Sequence, residues 1–487
     1  MQLAHITSEC APFAKVGGLA DVVIGLSKEL VRLGESVDIF IPHYPFAEHH
    51  LPPICPMEET SSFMFGHELI TIRVSKTIYE GIHIYLVRLD SPSNLFSRDR
   101  IYGYEDDIRR FIAFNKAVVE LFSLLKKSYS VVHIHDWPSA TIPLLYDEIP
   151  REGKRPAFVL TVHNLSYQGV TSYDPLHEAG LFSQRACKLL EDLYIPFRFN
   201  LLLGGLRTAD HITTVSPTYA TEIETVELGC GLHEIFLKRA HQFTGILNGL
   251  DPLEIERYIE IDPLVKARDF SAVINLKKKI KQKLSEELGI ETSSKPWLIS
   301  VTRLAEQKAP ELIFEAAQTT LTQGGVFILV GSDGDHHIRK MFSDLDSRWR
   351  HTNRIKIILE YNPKLAEQLF AAADFCVIPS YFEPCGLTQL YSFYFATVPI
   401  VRKTGGLSDT VFDESDANPE RPLNGYVFVE PEISALNWAT RRALSEFGTE
   451  KFVQRQKNGV KIDISWTHAT LAYLKIYISL LGERKLS

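Results

Sequence analysis

Short runs of consecutive apolar residues alternate along this chain with longer stretches whose apolar positions recur at helical spacing. Leu3–Thr7 is the first such run and reads as a buried strand. A loop carrying Lys15-Val16-Gly17-Gly18 follows. Then Leu19, Val22, Val23, Leu26, Leu30 and Leu33 mark one face of a helix that stops at Gly34, and Val37–Ile41 is the next buried strand. Strand, glycine loop, helix and strand in this order predict the opening unit of a doubly wound parallel sheet, an α/β fold. The loop is not a dinucleotide fingerprint, because GxGxxG is absent. Nor is it a P-loop, because its lysine precedes the glycines.

The pattern changes over residues 61–90. Leu69–Val74 and Ile82–Val87 alternate strictly around Glu80-Gly81, which predicts antiparallel strands added at a sheet edge. Fully apolar runs resume at Val131–His135, Phe158–His163 and His211–Val215, each followed by a helical stretch. Gly245–Asp251 reads as a short strand ending in a turn, and the domain boundary is placed there, dividing 1–248 from 249–466. A second alternation then starts: strands over Trp297–Thr302, Val326–Val330, Arg354–Leu359, Phe375–Ile378 and Pro399–Val401, with helices between them. The last helical run, Thr467–Leu481, follows Trp466 and shows an apolar face of Leu471, Leu474 and Ile478.

Composition narrows the class of protein. At 487 residues the chain exceeds what one core supports, so two domains are expected, with three open as an alternative. A formal net charge of −8, with no basic block interleaved with aromatics, argues against a nucleic-acid partner. The most basic stretch, Lys277–Lys283, lies on a helical pattern followed by Glu286-Glu287 and reads as a solvated face. Six cysteines fall without a CxxC pair or a metal-ligand spacing, which suits a reducing compartment and predicts no metal. The first residues pass straight into a strand, and no apolar run nears the ~18 residues of a membrane span, so a cytoplasmic protein without a membrane partner is expected.

Candidate chemistry gathers where strands run out. Pro379–Leu407 contains two successive strand-to-helix junctions, one with Glu383 and the corner Pro384-Cys385-Gly386, the other with Thr404-Gly405-Gly406-Leu407. Backbone N–H groups at such junctions suit anions and polar ligands. Lys15-Val16-Gly17-Gly18-Leu19 repeats the device near the start of the chain. His135-Asp136-Trp137 and His163-Asn164 lie at the ends of successive strands, where open α/β sheets bind ligands.

Taken together, the motifs resemble those of the bacterial glycogen synthase and plant starch synthase family. They are Lys15-x-Gly-Gly-Leu-x-Asp21, His135-Asp136-Trp137, Thr161-Val-His163-Asn164, Tyr167-Gln168-Gly169, Ile246-Leu-Asn248-Gly-Leu-Asp251, Thr302-Arg303 through Lys308, Glu383-Pro-Cys-Gly-Leu-Thr388-Gln and Thr404-Gly-Gly-Leu-x-Asp409. The match runs essentially end to end. The resemblance implies a GT-B architecture, two Rossmann-like doubly wound domains facing a central cleft. It also implies a C-terminal helix, 467–487, that returns to complete the first, acceptor-side domain, with 249–466 binding the nucleotide sugar. The implied reaction moves glucose from a nucleotide sugar to the non-reducing end of an α-1,4-glucan, retaining configuration and needing no metal or other cofactor.

Site roles follow from the same matching. Arg303 and Lys308 match the diphosphate-binding pair. Lys15, Gly17 and Gly18 are expected to approach the donor from the first domain, and Gly405, Gly406 and Leu407 to add backbone donors. Glu383 and His163 should meet the transferred glucose, with Asp136, Asp21, Asn164 and Asn248 lining the sugar and acceptor side. Tyr361 matches a base-stacking aromatic, and Cys385, Gly386, Leu387 and Thr388 form the phosphate loop. Cys385 reads as a packing residue, since nothing marks a depressed thiol pKa. ADP-glucose is the expected donor, with UDP-glucose open as an alternative. Another GT-B glycosyltransferase or an inactive glucan-binding scaffold also stays open, although Arg303, Lys308 and Glu383 are all present. Leu203, Glu360, Gln368, Tyr381 and Ala396 depart from the usual pattern. At Leu203 a lysine is common, and at Ala396 a glycine.

Overall fold

The computed structural model describes residues 1–486 except 150–152, 252–254, 291–294, 333, 417 and 419. The chain divides into two compact units, Met1–Gly249 together with Trp466–Ser487, and Leu250–Ser465.

The first unit is built on a nine-stranded sheet. Its strands are β1 (Gln2–Ile6), β2 (Ser36–Pro42), β3 (Cys55–Phe65), β4 (Glu68–Tyr79), β5 (Ile82–Asp90), β6 (Val131–His135) and β7 (Ala157–Val162), with β10 (His211–Thr214) and β11 (Phe243–Gly245). Two short strands, β8 (Val170–Thr171) and β9 (Phe199–Asn200), pair separately. The order β11-β10-β7-β6-β1-β2-β5-β4-β3 is parallel from β11 to β5 and antiparallel across β5, β4 and β3. The alternating segments thus extend one edge of a parallel sheet. β6 and β7 are buried at every position, which is why they read as unbroken apolar runs.

The second unit holds six parallel strands, β12 (Trp297–Arg303), β13 (Val326–Ser332), β14 (Ile355–Ile358), β15 (Phe375–Ile378), β16 (Val398–Arg402) and β17 (Tyr426–Phe428), in the order β14-β13-β12-β15-β16-β17. Successive side chains face opposite layers. Trp297, Ile299 and Ile328 pack with the helices Phe270–Leu288, Pro363–Ala372 and Thr388–Tyr394. Leu298, Phe327 and Leu329 pack with Pro310–Thr322, His336–Trp349 and Ile433–Glu446. That is the doubly wound arrangement, helices on both faces of a parallel sheet.

Each sheet has one point where the strand order reverses. In the first unit β1 lies between β2 and β6, and in the second β12 lies between β13 and β15. Side chains at the carboxyl ends of these strands surround a natural crevice.

The final helix, Thr467–Leu486, requires a correction. Leu471 and Ile478 are exposed, and the buried positions are Trp466, Ala469, Thr470, Tyr473 and Tyr477. The reason is the surface it covers. The Tyr477 hydroxyl lies 2.7 Å from His133 Nδ1, and the Tyr473 ring is 5.4 Å from that of His133. A row of histidines asks for aromatic rings with hydroxyls, which a search for leucine does not detect. Trp466 closes over Gly25, where an added Cβ would lie 2.0 Å from the indole Nε1. Among the described residues no helix is long and apolar enough to cross a membrane.

Candidate active site

In the second unit, Arg303 is the last residue of β12 and Lys308 ends the short helical turn that follows. Lys308 Nζ lies 2.6 Å from Glu383 Oε2, and the Ser380 hydroxyl donates to the same oxygen at 2.7 Å. Glu383 is 7% exposed, so this carboxylate is fixed from two sides. Arg303 is half-buried and its guanidinium has no hydrogen-bond or ion-pair partner among the described residues. A half-covered guanidinium left open at a strand's carboxyl end has the paired donors that an anion with two oxygens requires.

The loop after β15 is shaped by close backbone contacts. A Cβ on Gly405 would come 2.0 Å from the Glu383 carbonyl oxygen, and one on Gly406 would come 1.8 Å from that of Cys385. The two loops therefore pack backbone to backbone. The Gly406 N–H donates to the Glu383 carbonyl at 3.1 Å and the Leu407 N–H to Thr404 at 3.1 Å. Donors expected to face a ligand at Gly406 and Leu407 are thus engaged, the first by the neighbouring loop and the second within its own turn. The N–H groups of Gly386, which has φ of +69°, and Leu387 carry no partner among the described residues. Thr388 begins the helix that runs to Tyr394, and Cys385 is buried beneath the loop, its carbonyl accepting from Gln389 at 3.2 Å. Tyr361 stands 74% exposed ahead of the helix from Pro363.

In the first unit, Asp136 follows β6 with φ of +55°, a left-handed conformation costly for a residue with a side chain. It turns the carboxylate so that Oδ1 accepts the His163 N–H at 2.7 Å, with the Asn164 N–H also bonded to it. Burial pushes this carboxyl up to about 7, against the two N–H groups that favour its charge. His163, after β7, has its ring Nε2 3.1 Å from His135 Nδ1, and burial lowers it to about 3, so the ring is neutral at physiological pH. Asn248 is buried, its Oδ1 without a partner among the described residues.

The loop after β1 also differs from expectation. Lys15 pairs with Asp21 at 2.6 Å. The buried carboxylate of Glu9 accepts the N–H groups of Val16 and Gly17 at 2.6 and 2.9 Å and the Tyr102 hydroxyl at 2.8 Å. Burial raises the Glu9 carboxyl, opposed by these donors. Gly17 is thus held by its own loop, and Gly18 opens the helix Gly18–Arg32.

Glu9, His5 and His133 were not visible as site residues from the sequence. His5 and His133 sit opposite one another across β1 and β6, and His135 lies two residues further along the same face. The His-x-His alternation at 133–135 was the available signal, because a period of two places both rings on one side of a strand. Nitrogens of His5, His133 and His135 lie within 4.8 Å of one another.

Comparison with known proteins defines first the class and then the family. Residues 2–238 match the starch synthase catalytic domain model, and 281–460 match the model for glycosyl transferases group 1. The structure of the catalytic domain of starch synthase IV from Arabidopsis thaliana, bound to ADP and acarbose, superimposes with a TM-score of 0.91. It is 33% identical and covers 99% of both chains. The fold is therefore GT-B, with two Rossmann-like domains, and the protein is a glycosyltransferase. A glycogen synthase from Protochlamydia amoebophila is 36% identical over 98% of this chain and 99% of its own. Probable starch synthase 4 of Arabidopsis thaliana is 34% identical over 98% of this chain and 47% of its own. The chain belongs to the glycogen synthase and starch synthase family.

Proposed function

We propose that the chain transfers glucose from ADP-glucose to the non-reducing end of an α-1,4-glucan with retention of configuration. The observation that carries this reading is the open guanidinium of Arg303 at the start of the loop that leads to Lys308, which pairs with Glu383. As the bond from the anomeric carbon to the diphosphate breaks, charge grows on the departing phosphate, and fixed cations and N–H donors stabilise it. Arg303 offers a two-pronged donor and Lys308 a point charge, with the unpartnered N–H groups of Gly386 and Leu387 close by in sequence to Glu383. Glu383 receives hydroxyls of the transferred glucose, its oxygens held by Lys308 and Ser380. The exposed ring of Tyr361 takes the adenine. His163, Asp136, Asn164, Asn248, Lys15 and Asp21 serve the sugar and the acceptor. The new bond joins the anomeric carbon to the acceptor hydroxyl, whose proton passes to the leaving phosphate. None of the six cysteines is in a disulfide, which supports a reaction in the reducing cytoplasm.

The test is a product assay with radiolabelled ADP-glucose or UDP-glucose and short maltodextrins as acceptor. Elongation by α-1,4-linked glucose with ADP-glucose preferred is the expected result, and it persists in EDTA. Preference for UDP-glucose would overturn the donor assignment. Transfer to a non-glucan acceptor alone would overturn the reaction.

A further inference from the structure

The histidines of the first unit make a directed chain. His163 Nε2 is 3.1 Å from His135 Nδ1, and His135 Nε2 is 3.0 Å from His5 Nδ1. All three rings are held neutral by burial, His5 and His163 lowered to about 3 and His135 well below its usual value. A neutral imidazole carries one proton, so each ring donates through one nitrogen and accepts through the other. Such a chain has two polarities, and its buried end decides between them. His5 Nε2 is buried with no partner among the described residues. In one polarity that atom is an N–H with nothing to receive it. In the other it is a bare lone pair, which a protein interior tolerates better than an orphaned donor.

We propose that the chain runs outward from His5. His5 Nδ1–H donates to His135 Nε2, His135 Nδ1–H donates to His163 Nε2, and His163 is thereby fixed as the Nδ1–H tautomer. Its remaining ring nitrogen, with no other hydrogen bond among the described residues, is a donor and never an acceptor. His5 and His135 are positioning residues. Their consequence for the reaction rests on the reading that His163 meets the transferred glucose, where a fixed N–H selects a sugar oxygen that accepts.

The proximity of His5, His133 and His135 invites comparison with a metal site, but of their six ring nitrogens every one except His5 Nε2 is already engaged. His133 Nδ1 pairs with the Tyr477 hydroxyl at 2.7 Å and Nε2 with the Thr161 hydroxyl at 2.6 Å. His5 and His135 share a proton across 3.0 Å. A cation could take His5 Nε2 as it stands, but to gain His133 and His135 as well it would have to break one bond at each of those rings.

The experiment is a two-bond 15N–1H correlation spectrum of the full-length protein labelled with 15N-histidine at neutral pH. Signals are assigned through His163→Ala and His5→Leu. The expected spectrum shows a protonated Nδ1 and a bare Nε2 for His5, His135 and His163. A protonated Nε2 on His163 in the unaltered protein overturns the proposal, as does stoichiometric zinc that shifts all three rings together. In His5→Leu the His163 signal moves toward a mixture of tautomers and kcat falls several-fold. His5→Asn, whose amide donates from nearly the place of Nδ1, restores both. Loss of glucosyl transfer in the unaltered protein with the expected spectrum would sink the functional reading alone, because the tautomer is read without substrate.

Discussion

Arg303 and Lys308 carry the same charge but are held in different ways, and their alanine variants separate accordingly. In the proposed reaction both contacts strengthen as charge moves onto the departing phosphate, so their loss is expected to act on kcat more than on KM. Removing one such fixed donor elsewhere costs on the order of 10²–10³ in kcat, and that range is expected for Arg303→Ala and Lys308→Ala. Stability divides them. Arg303 has no protein partner among the described residues, so its removal leaves the thermal midpoint unchanged. Lys308 neutralises Glu383 at 2.6 Å, and its removal strands a buried carboxylate, at a cost of about 1–3 kcal/mol. Arg303→Lys recovers part of kcat, because the paired-donor geometry is lost. Steady-state kinetics and thermal melts on the three variants check this. An unchanged kcat with raised donor KM in Arg303→Ala would remove the leaving-group role.

At the scale of the element, the turn after the helix Thr388–Tyr394 explains one departure from the family pattern. Ala396 has φ of +54° and is buried, in the left-handed position past a helix end that glycine usually fills. A side chain there costs roughly 1–2 kcal/mol, and glycine's greater freedom in the unfolded chain returns about 0.4–1 kcal/mol of that. Ala396→Gly is therefore expected to stabilise the protein by about 0.5 kcal/mol. A denaturant titration that shows destabilisation would mean the buried methyl outweighs the strain. The histidine face predicts a pH effect. His5 titrates near 3 in the folded protein and near 6.5 when free, so its contribution is complete above 6.5 and is lost as pH falls toward 3. Asp136, raised to about 7, works in the opposite sense, since its penalty is relieved on acidification. That term is common to both proteins in a comparison with His5→Leu. Below pH 6.5 the balance should move toward the variant by about 1.4 kcal/mol per pH unit, measured by urea unfolding at several pH values.

Legibility followed the physics of each element. Val131–His135 and Phe375–Ile378 occupy the very residues the apolar runs indicate, because both strands are buried on two faces. The first helix was marked by six apolar positions and a glycine stop, and it spans Gly18–Arg32. The glycine loops were visible as loops, but not which way their N–H groups point. The Glu9 carboxylate holds Gly17 from within the same loop, and the Glu383 carbonyl holds Gly406 from the preceding strand-to-helix junction, neither of which the glycine pattern itself reveals. His5 was hidden for a similar reason: a single histidine in an apolar strand resembles any core residue until the neighbouring strand places His133 and His135 beside it.

At the scale of the whole molecule, the chain crosses from one unit to the other after Gly249 and returns before Trp466, so the first unit is completed only by residues that follow the whole of the second. That dependence can be measured with point changes on the returning helix. Tyr477 is fully buried and its hydroxyl is the partner of His133 Nδ1, which in turn stacks on His135 with ring centroids 4.4 Å apart. Tyr477→Phe keeps the ring and leaves His133 with an unmet nitrogen, which should cost about 1–3 kcal/mol. Thr470, on the same buried face, has a hydroxyl with no partner among the described residues. Thr470→Val replaces a polar atom that gains nothing by burial, so it should be neutral or slightly stabilising. Deleting 467–487 removes this packing together with the Thr467 hydroxyl bond to Glu29 at 3.0 Å, and uncovers the histidine face. Insoluble or inactive protein is the expected outcome. Equal stability losses for the Tyr477 and Thr470 variants would show that the helix is held by shape alone. A soluble truncation with full turnover would show that the first unit does not need it.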